Sequence, residues 1–175
     1  MTTFHHPTSE VIRDATKSDL PRINEIFNWT IVGQHVSFDT EPWSPEKRRE
    51  WWEQRDPELR CLVLEGSGGQ VIGVTYSSWF RPKVAYRSSV ETTIVMDAEI
   101  RGRGLGKRLL AALLAGLRQQ GLHRAVAMVA LPNDASVALH RRAGYREVGR
   151  LSEIGTKLGR KWDTLIFECA LDKAH

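Results

Sequence analysis

Cysteine is scarce in this chain, which has only two among its 175 residues, Cys61 and Cys169. Both lie in apolar, strand-like runs, so we expect reduced core residues of a cytoplasmic protein and not a disulfide scaffold. The cysteines and histidines do not follow the spacing of a metal site, and we therefore expect no metal cofactor.

Long apolar runs are also missing, since no stretch approaches the length needed to cross a membrane. The first ten residues are polar and contain no apolar segment of the kind that defines a secretory signal. We expect no membrane partner, a flexible N-terminus over residues 1–9 and a single domain over residues 10–172, because a chain of this length usually forms one domain.

The excess of positive charge is small, with 25 Lys and Arg against 21 Asp and Glu, a net charge of +4. Four of these cations fall within residues 101–108. An excess this local suits a small polyanionic ligand. We expect no nucleic-acid partner, because a protein of that class presents a broader basic face.

Residues 101–108 read Arg-Gly-Arg-Gly-Leu-Gly-Lys-Arg and precede an amphipathic helix pattern. Glycine permits positive φ, and a helix that begins here points free N–H groups at an anion. A P-loop would need Gly at 101 and Ser or Thr at 108, and a dinucleotide fingerprint would need Gly at 107, so both are excluded. The alternatives to an anion-binding loop are a solvated basic turn and a nucleic-acid patch.

Hydrophobic periodicity predicts strands and helices along the whole chain. The predicted strands cover 11–15, 60–65, 71–78, 86–96, 125–131, about 146–154 and 162–171. The predicted helices begin near Asp19 and Ser44, cover 105–120, and run from Asn133 to Gly144. The strand at 125–131 is continuously apolar, which is typical of a central strand buried on both faces. This order predicts a mixed sheet with helices on its faces.

A series of short motifs runs through most of the chain in a fixed order. They are Phe27-Asn28, residues 37–42, residues 48–52, Trp79-Phe80-Arg81-Pro82, Tyr86-Arg87, Val90-Glu91, Arg-x-x-Gly-x-Gly at 101–106, residues 131–136, Leu139-His140, Ala143-Gly144-Tyr145, Gly155-Thr156-Lys157 and Trp162-Asp163. In this order they resemble the phosphinothricin and methionine sulfoximine N-acetyltransferases of the GNAT superfamily. The resemblance implies an α/β fold with a GNAT-like central mixed β-sheet flanked by helices on both faces, and a homodimer.

The resemblance also implies acetyl-CoA as the co-substrate. The implied contacts are Ile94, Val95, Met96, Arg101, Gly102, Arg103, Gly104, Leu105, Gly106 and Lys107, with Asn133 and Ser136 near the pantetheine and ribose end. The other interpretation of Asn133 and Ser136 is helix capping. By the same resemblance, a backbone N–H at a strand bulge near Val95 would donate to the thioester oxygen.

Acetyl transfer to an amine needs a group that takes a proton, because a protonated amine cannot attack a thioester. Glu91 is the candidate, since a charged residue inside a β-branched strand should face a cleft or a partner. The other interpretation is a Glu on a solvated strand face. By resemblance Glu91 is the general base and His140 stands beside it as a second proton acceptor or positioning group, although a lone His is more often a packed residue. Tyr145 either protonates the departing thiolate or packs the start of a strand.

The substrate side of the predicted site is carried by two arginines, because Arg is the natural bidentate partner of an amino-acid carboxylate. Arg81 and Arg87 bracket the turn before the Glu91 strand, and by resemblance Phe38 and Thr40 cover the substrate while Trp79 borders its pocket. We therefore expect a small-molecule amine with a carboxylate, of the phosphinothricin or methionine sulfoximine type. The alternatives are another amine, such as a peptide N-terminus, a polyamine or an antibiotic, and a CoA-binding module without catalysis.

Overall fold

A computed structural model of the chain describes residues 10–100 and 102–172. Its strands are β1 (Val11–Asp14), β2 (Cys61–Glu65), β3 (Val71–Trp79), β4 (Ser89–Met96), β5 (Arg124–Ala130), β6 (Arg146–Lys157) and β7 (Arg160–Ala170), and its helices are α1 (Leu20–Ile31), α2 (Pro45–Glu53), α3 (Leu105–Gln119) and α4 (Asp134–Arg142). None of the helices in these ranges is long and apolar enough to cross a membrane. No group of three or more His, Cys, Asp or Glu within the same ranges is placed to hold a metal ion. The expectation for residues 1–9 lies outside the described part of the chain.

The seven strands of the described residues form one mixed sheet in the order β1-β2-β3-β4-β5-β7-β6. Every neighbouring pair is antiparallel except β4 and β5, which are parallel and joined through α3. A parallel pair needs a crossover of this kind, whereas an antiparallel pair needs only a turn. The predicted mixed sheet is confirmed, and the glycine-rich loop lies between the carboxyl end of β4 and the start of α3.

One face of the sheet is covered by α3 and α4. The predicted apolar stripe of α3 is confirmed, since its members are no more than 3% exposed: Leu105, Leu109, Leu113 and Leu117. These side chains pack with Val90 of β4 and Phe167 of β7 in the larger hydrophobic core. Burial of each such side chain contributes about 1.5–3 kcal/mol, so this face anchors the crossover that carries the loop.

The opposite face is covered in two parts. Helix α1 packs Ile23 and Ile26 against Val63 and Val74 of β2 and β3, which forms the second hydrophobic core. Helix α2 packs beside it, where Trp51 contacts a β3 tyrosine edge-on with ring centroids 5.1 Å apart. The segment that connects the two helices, residues 33–43, lies over β6 and β7 on the same face. A ligand on this face would therefore meet the helices on one side and the connecting segment on the other.

Three predicted spans differ from the structure. Tyr86 belongs to a short 3-10 turn, so β4 begins only at Ser89. Strand β5 is not buried on both faces, because Met128 on the Glu91 side is 39% exposed. Strands β6 and β7 are longer than predicted and meet at Leu158 and Gly159, which both have positive φ. Two consecutive positive φ values match the twist of a tight hairpin, which the sequence pattern did not reveal.

Both cysteines are buried and unpaired, as predicted. Burial raises the pKa of the Cys61 thiol to about 11 and also raises the pKa of Cys169. A thiol in this state is a poor nucleophile, because the thiolate is the reactive form. The structure therefore places the cysteines in the core and gives them no reactive role.

Candidate active site

Strands β4 and β5 pair over only three residues and then separate. The paired register runs from Ser89 opposite Arg124 to Glu91 opposite Val126. At the end of the paired part, the Thr92 hydroxyl donates to the Val126 carbonyl at 3.2 Å. Beyond it, the described parts of β4 and β5 continue for several residues without pairing to each other. An opening between β4 and β5 therefore begins directly after Glu91 and extends toward the glycine-rich loop.

The backbone groups of β4 that face this opening can be identified from its pairing with β3. The Asp97 N–H donates to the Ile72 carbonyl at 2.9 Å. Because alternate residues of an antiparallel ladder bond to the partner strand, Val95 bonds to β3, while Ile94 and Met96 direct their N–H and C=O groups toward the opening. The pairing runs along the described β4 without a register shift. The expected bulge near Val95 is therefore absent, and Ile94 and Met96 supply the free backbone groups instead.

The glycine-rich loop leads into an uncapped helix. Gly102 and Gly104 have φ of 74° and 69°, and a side chain at either position would meet open space. Gly104 is the N-cap of α3 and no side chain caps the helix. The N–H groups of Leu105, Gly106 and Lys107 therefore have no partner within the helix. This arrangement can bind an anion such as a pyrophosphate, as the sequence predicts.

The cations around this loop are not all available to a ligand. Arg103 forms an ion pair with Glu10, and Arg108 lies 3.6 Å from the same carboxylate. Lys107 is exposed in the first turn of α3, and no ion pair within the described residues engages it. Arg101 lies outside the described residues. Of the described cations in the loop, Lys107 is thus the one placed to meet a phosphate without first breaking an ion pair.

The first turn of α3 is in close contact with the second turn of α4. A Cβ atom on Gly106 would lie 2.7 Å from Leu139 Cδ1, so glycine at this position lets the two helices approach each other. The Asn133 side-chain oxygen accepts the Ser136 N–H at 3.1 Å and caps α4. The capping interpretation of Asn133 is confirmed, and the cap lies at the end of β5, beside the opening.

Glu91 is the last residue of β4 that pairs with β5, and its partly buried side chain lies at the start of the opening. Its carboxylate has no hydrogen bond or ion pair with the described residues. Burial raises its pKa, and the charge of Arg81 opposes that shift. Burial and the nearby Glu91 charge both raise the pKa of the Tyr76 phenol, which lies on the same face of the sheet. A carboxylate with free oxygens and a raised pKa is a better proton acceptor than an exposed glutamate.

His140 lies on the other face of the sheet from Glu91. Successive strand residues point to opposite faces, so Thr92 points away from the Glu91 side. The Thr92 hydroxyl lies 2.6 Å from the Tyr145 hydroxyl. The His140 ring is part of this cluster, with centroid distances of 5.2 Å to Tyr145 and 5.6 Å to Phe167. The structure therefore does not bring His140 beside Glu91, in contrast to the prediction.

The environment of His140 and Tyr145 is that of a packed core. His140 is 3% exposed, and its Nδ1–H donates to the Ser136 carbonyl at 2.8 Å. Burial lowers the pKa of His140 and raises the pKa of Tyr145. Both rings are thus held neutral, and their positions favour a packing role for each.

Trp79 and Arg87 also lie away from Glu91, which corrects their predicted place beside the substrate. Trp79 is opposite Val90 in the β3–β4 register and shares its face, the one that carries α3. The Trp79 indole N–H donates to Asp56 at 2.8 Å. The Arg87 guanidinium lies 4.7 Å from the centroid of the Trp79 ring and 3.6 Å from the Asp56 carboxylate. Both side chains are therefore engaged with Asp56.

Arg81 is the arginine of the predicted pair that remains close to Glu91. Its Nη1 donates to the Phe80 carbonyl at 2.8 Å, and its guanidinium lies 4.3 Å from the centroid of the Phe80 ring. The side chain is exposed, and its charge acts on Glu91. Arg81 can therefore meet an anionic group that reaches the Glu91 side.

Residues 33–43, which we term the cover segment, lie on the Glu91 side of β6 and β7. The His35 ring stacks on Trp162 with centroids 4.2 Å apart. The Phe38 ring occupies the space above Gly155, where a Cβ atom would lie only 2.3 Å from it. Phe38 is 40% exposed, and Thr40 is exposed as well. Both predicted covering residues therefore lie in the exposed part of the cover segment, and their role over the substrate stays a prediction.

Sequence reasoning missed two buried cations on this side of the sheet. Arg48 is 2% exposed and Lys157 is 5% exposed. The Arg48 guanidinium lies 4.2–5.0 Å from the centroids of three aromatic rings, which belong to Trp43, Phe27 and Trp51. The Lys157 ammonium donates to the Ser37 carbonyl of the cover segment at 2.7 Å. Lys157 stands in a family motif, but a motif does not reveal burial.

The arrangement of opening, carboxylate and uncapped helix agrees with a comparison to known families. Residues 23–145, more than half of the chain, match the model of the acetyltransferase (GNAT) family. The chain belongs to the GNAT family of acetyltransferases. The matched range of this acetyltransferase includes Glu91, the glycine-rich loop and the cap of α4.

Two curated relatives and one solved structure show how far the similarity extends. The acetyltransferase is 38% identical over 165 residues to the phosphinothricin N-acetyltransferase of Streptomyces coelicolor, covering 92% of this chain and 96% of that one. It is 36% identical over 166 residues to an L-methionine sulfoximine/L-methionine sulfone acetyltransferase of Pseudomonas paraeruginosa, with coverage of 94% and 96%. A GNAT superfamily phosphinothricin acetyltransferase from Sinorhizobium meliloti, solved in complex with AcCoA, superposes with a TM-score of 0.88 at 30% identity and coverage of 93% and 88%. The predicted family and fold are confirmed.

Proposed function

We propose that this acetyltransferase transfers the acetyl group of acetyl-CoA to the amino group of a small amino-acid analogue that carries a carboxylate, of the phosphinothricin or methionine sulfoximine type. The observation that carries the proposal is the position of Glu91, a partly buried carboxylate without a partner in the described residues, at the start of the β4–β5 opening. The names of the relatives support the substrate class, and the Sinorhizobium meliloti complex supports the co-substrate.

The proposed acetyl-CoA site follows the opening from Glu91 to α3. Acetyl-CoA supplies an acetyl group activated as a thioester. The free backbone groups of Ile94 and Met96 bind the extended arm of the molecule, as a neighbouring strand would be bound. The uncapped N–H groups of α3 and the Lys107 ammonium hold the pyrophosphate, with Arg103 available once its ion pair with Glu10 opens.

Glu91 acts as the general base in this proposal. Its carboxylate accepts a proton from the substrate ammonium, and the neutral amine then attacks the thioester carbonyl carbon. The carbon–sulfur bond breaks, and the departing thiolate takes up the second proton, which the attacking nitrogen loses as the amide forms. Because burial raises the Glu91 pKa, the carboxylate is a stronger base than an exposed glutamate would be.

Direct transfer to the amine fits this chain better than an acyl-enzyme intermediate. The two cysteines are buried, and burial raises both thiol pKa values. Neither thiol therefore supplies the thiolate that covalent catalysis requires.

The substrate side is proposed to consist of Arg81, Phe38 and Thr40. Arg81 is exposed beside Glu91 and offers a guanidinium for the substrate carboxylate. Phe38 and Thr40 cover the bound molecule from the cover segment. Arg87 and Trp79 are left out because Asp56 already engages both side chains.

The experiment that tests this proposal is a thiol-release assay with acetyl-CoA and a panel of amines. The panel contains phosphinothricin, methionine sulfoximine, a peptide with a free N-terminus, a polyamine and an aminoglycoside. We expect turnover with the first two. Turnover with the polyamine or the aminoglycoside, and none with a carboxylated amine, would overturn the substrate assignment.

The same assay tests the general base through Glu91→Gln. General base catalysis contributes roughly 10²–10⁴-fold, so we expect a loss of that size in kcat. Binding of acetyl-CoA, measured by calorimetry, should persist because the backbone of β4 is unchanged. The matched control is Glu50→Gln on the exposed side of α2. A Glu91→Gln protein with the wild-type kcat would show that another group takes the proton.

A further inference from the structure

Lys157 ends β6 and connects the last hairpin of the sheet to the cover segment. Its ammonium donates to the Ser37 carbonyl at 2.7 Å, across 120 residues of sequence. The residue is 5% exposed although it lies next to the hairpin turn. A lysine at such a place usually extends into solvent. This one turns inward and holds the backbone of the cover segment.

The buried Lys157 ammonium depends on this hydrogen bond, because no opposite charge lies at ion-pair distance from it within the described residues. No carboxylate within the described residues forms an ion pair with Lys157. Burial lowers the pKa of Lys157, and the charge of Asp39 in the cover segment opposes that shift. A buried ammonium needs hydrogen-bond acceptors to offset its lost hydration. The Ser37 carbonyl is the acceptor that the structure provides, so displacement of the segment would leave the charge unsatisfied.

The neighbouring contacts of the cover segment depend on the same position of its backbone. Phe38 follows Ser37 directly, and its ring lies where Gly155 leaves room for it. His35 precedes Ser37 by two residues, stacks on Trp162, and bonds through Nε2 to the Pro132 carbonyl at 2.8 Å. The first half of the segment is therefore clamped to the hairpin around Lys157.

The second half of the cover segment is held separately by α1. The side-chain amides of Asn24 and Asn28 donate to the Trp43 carbonyl at 2.8 and 2.9 Å, and the Trp43 N–H donates back to Asn28 at 2.9 Å. The residues between the two anchored ends, 39–42, are exposed. This exposed span contains Thr40, so the two clamps determine where Thr40 and Phe38 stand relative to Glu91.

We propose that Lys157 is a positioning residue, which keeps Phe38 and Thr40 of the cover segment in place over the bound amine substrate. This role of Lys157 rests on the proposed function, because the amine site is part of that proposal. In the proposed site acetyl-CoA lies in the β4–β5 opening, whereas Phe38 and Thr40 of the cover segment are assigned to the amine. Loss of the clamp should therefore weaken binding of the amine alone.

The kinetic test compares Lys157→Met with Lys161→Met, a control on the same hairpin whose side chain is 62% exposed. Because Lys157→Met removes a hydrogen bond donated by a charged group, we expect the KM for the amine to rise about tenfold or more in this variant. The KM for acetyl-CoA and the kcat at saturating amine should stay at their wild-type values. Equal losses in both KM values, or a lower kcat alone, would overturn the proposal.

A second pair of variants tests the same clamp without removing a charge. In Gly155→Ala the new methyl group displaces the Phe38 ring, whereas Gly149→Ala on the same strand meets only Ile166 at an ordinary 3.9 Å. We expect a higher KM for the amine in Gly155→Ala and wild-type values in Gly149→Ala. An unchanged KM in Gly155→Ala would count against a role of this contact in substrate binding.

Hydrogen exchange of the free protein separates the clamp from the catalytic assignment. In Lys157→Met we expect faster exchange at the amides of residues 36–40 and wild-type exchange in β4 and α3. Unchanged exchange at 36–40 would refute the clamp itself. If the wild-type protein turns over no carboxylated amine, the proposed substrate falls, and the exchange result still decides whether Lys157 fixes the segment.

Discussion

At the scale of single residues, neighbouring positions on β4 have different chemistry. Glu91 and Thr92 are adjacent in sequence, but Glu91 points to the side of the cover segment and Thr92 to the buried cluster around Tyr145. The Glu91 carboxylate is consequently free to exchange protons. His140, in the cluster on the other side, is enclosed and neutral. The two faces of the sheet thus separate the proposed general base from a histidine in a packed core.

The packing role of His140 predicts a stability that depends on pH. Burial lowers its folded-state pKa below the unfolded value of about 6.5, so the unfolded chain binds more protons in acid. The stabilisation is present above that value and is lost as pH falls toward the folded pKa. His140→Phe keeps an aromatic ring against Phe167, so its free energy of unfolding should fall less than that of the wild type between pH 7 and pH 5.5. Urea denaturation at both pH values measures this difference.

The His140→Phe protein should also keep a kcat within about tenfold of the wild type, because general acid–base catalysis contributes more than that. A loss of several hundredfold in kcat would show instead that His140 takes part in catalysis.

At the scale of secondary-structure elements, the contact between α3 and α4 positions the loop. The helix pattern from Leu105 onward was predicted correctly, since a four-residue leucine period is visible in any sequence. The close contact between Gly106 and Leu139 was not predicted, because it depends on how α3 and α4 pack against each other on the sheet. These two helices are separated in the sequence by β5. The start of β4 was also misplaced, since β-branched periodicity cannot exclude a 3-10 turn at Tyr86.

The α3–α4 contact predicts the effect of Gly106→Ala. The added methyl group lies 2.7 Å from Leu139, and overpacking of this kind costs about 1–3 kcal/mol of unfolding free energy. In a Leu139→Ala background the space is free, so the same change should cost about 0.5 kcal/mol or less. Urea denaturation of the wild type, the two single variants and the double variant measures both costs. Equal costs in both backgrounds would show that the helices adjust without strain.

At the scale of the whole molecule, β6 forms one edge of the sheet and carries exposed apolar side chains. Val148 is 42% exposed, Leu151 36% and Ile154 58%. An exposed apolar edge strand is a pairing surface that proteins usually cover or protect. We therefore expect the homodimer that the family resemblance implies to form through this strand.

The expected dimer is tested by sedimentation velocity of the wild type and of Ile154→Glu. A charge placed in an apolar interface is costly, so the variant should sediment as a monomer while the wild type sediments as a dimer. The control is Val84→Glu, a change at an 82% exposed position outside β6. A wild type that remains monomeric at micromolar concentration, or an Ile154→Glu protein that stays dimeric, would exclude this interface.

The sequence by itself determined the family, the mixed sheet, the glycine-rich loop and the stripe of α3, because these depend on local periodicity and on motifs within a few residues of each other. The tertiary structure alone decided which side of the sheet each candidate faces. Trp79 lies away from Glu91 because strand register assigns alternate residues to opposite faces. Arg87 is held with Trp79 at Asp56, and His140 lies on α4, which covers the other face of the sheet. Lys157 contacts the cover segment because folding brings it to Ser37, 120 residues away, a contact that no local pattern encodes.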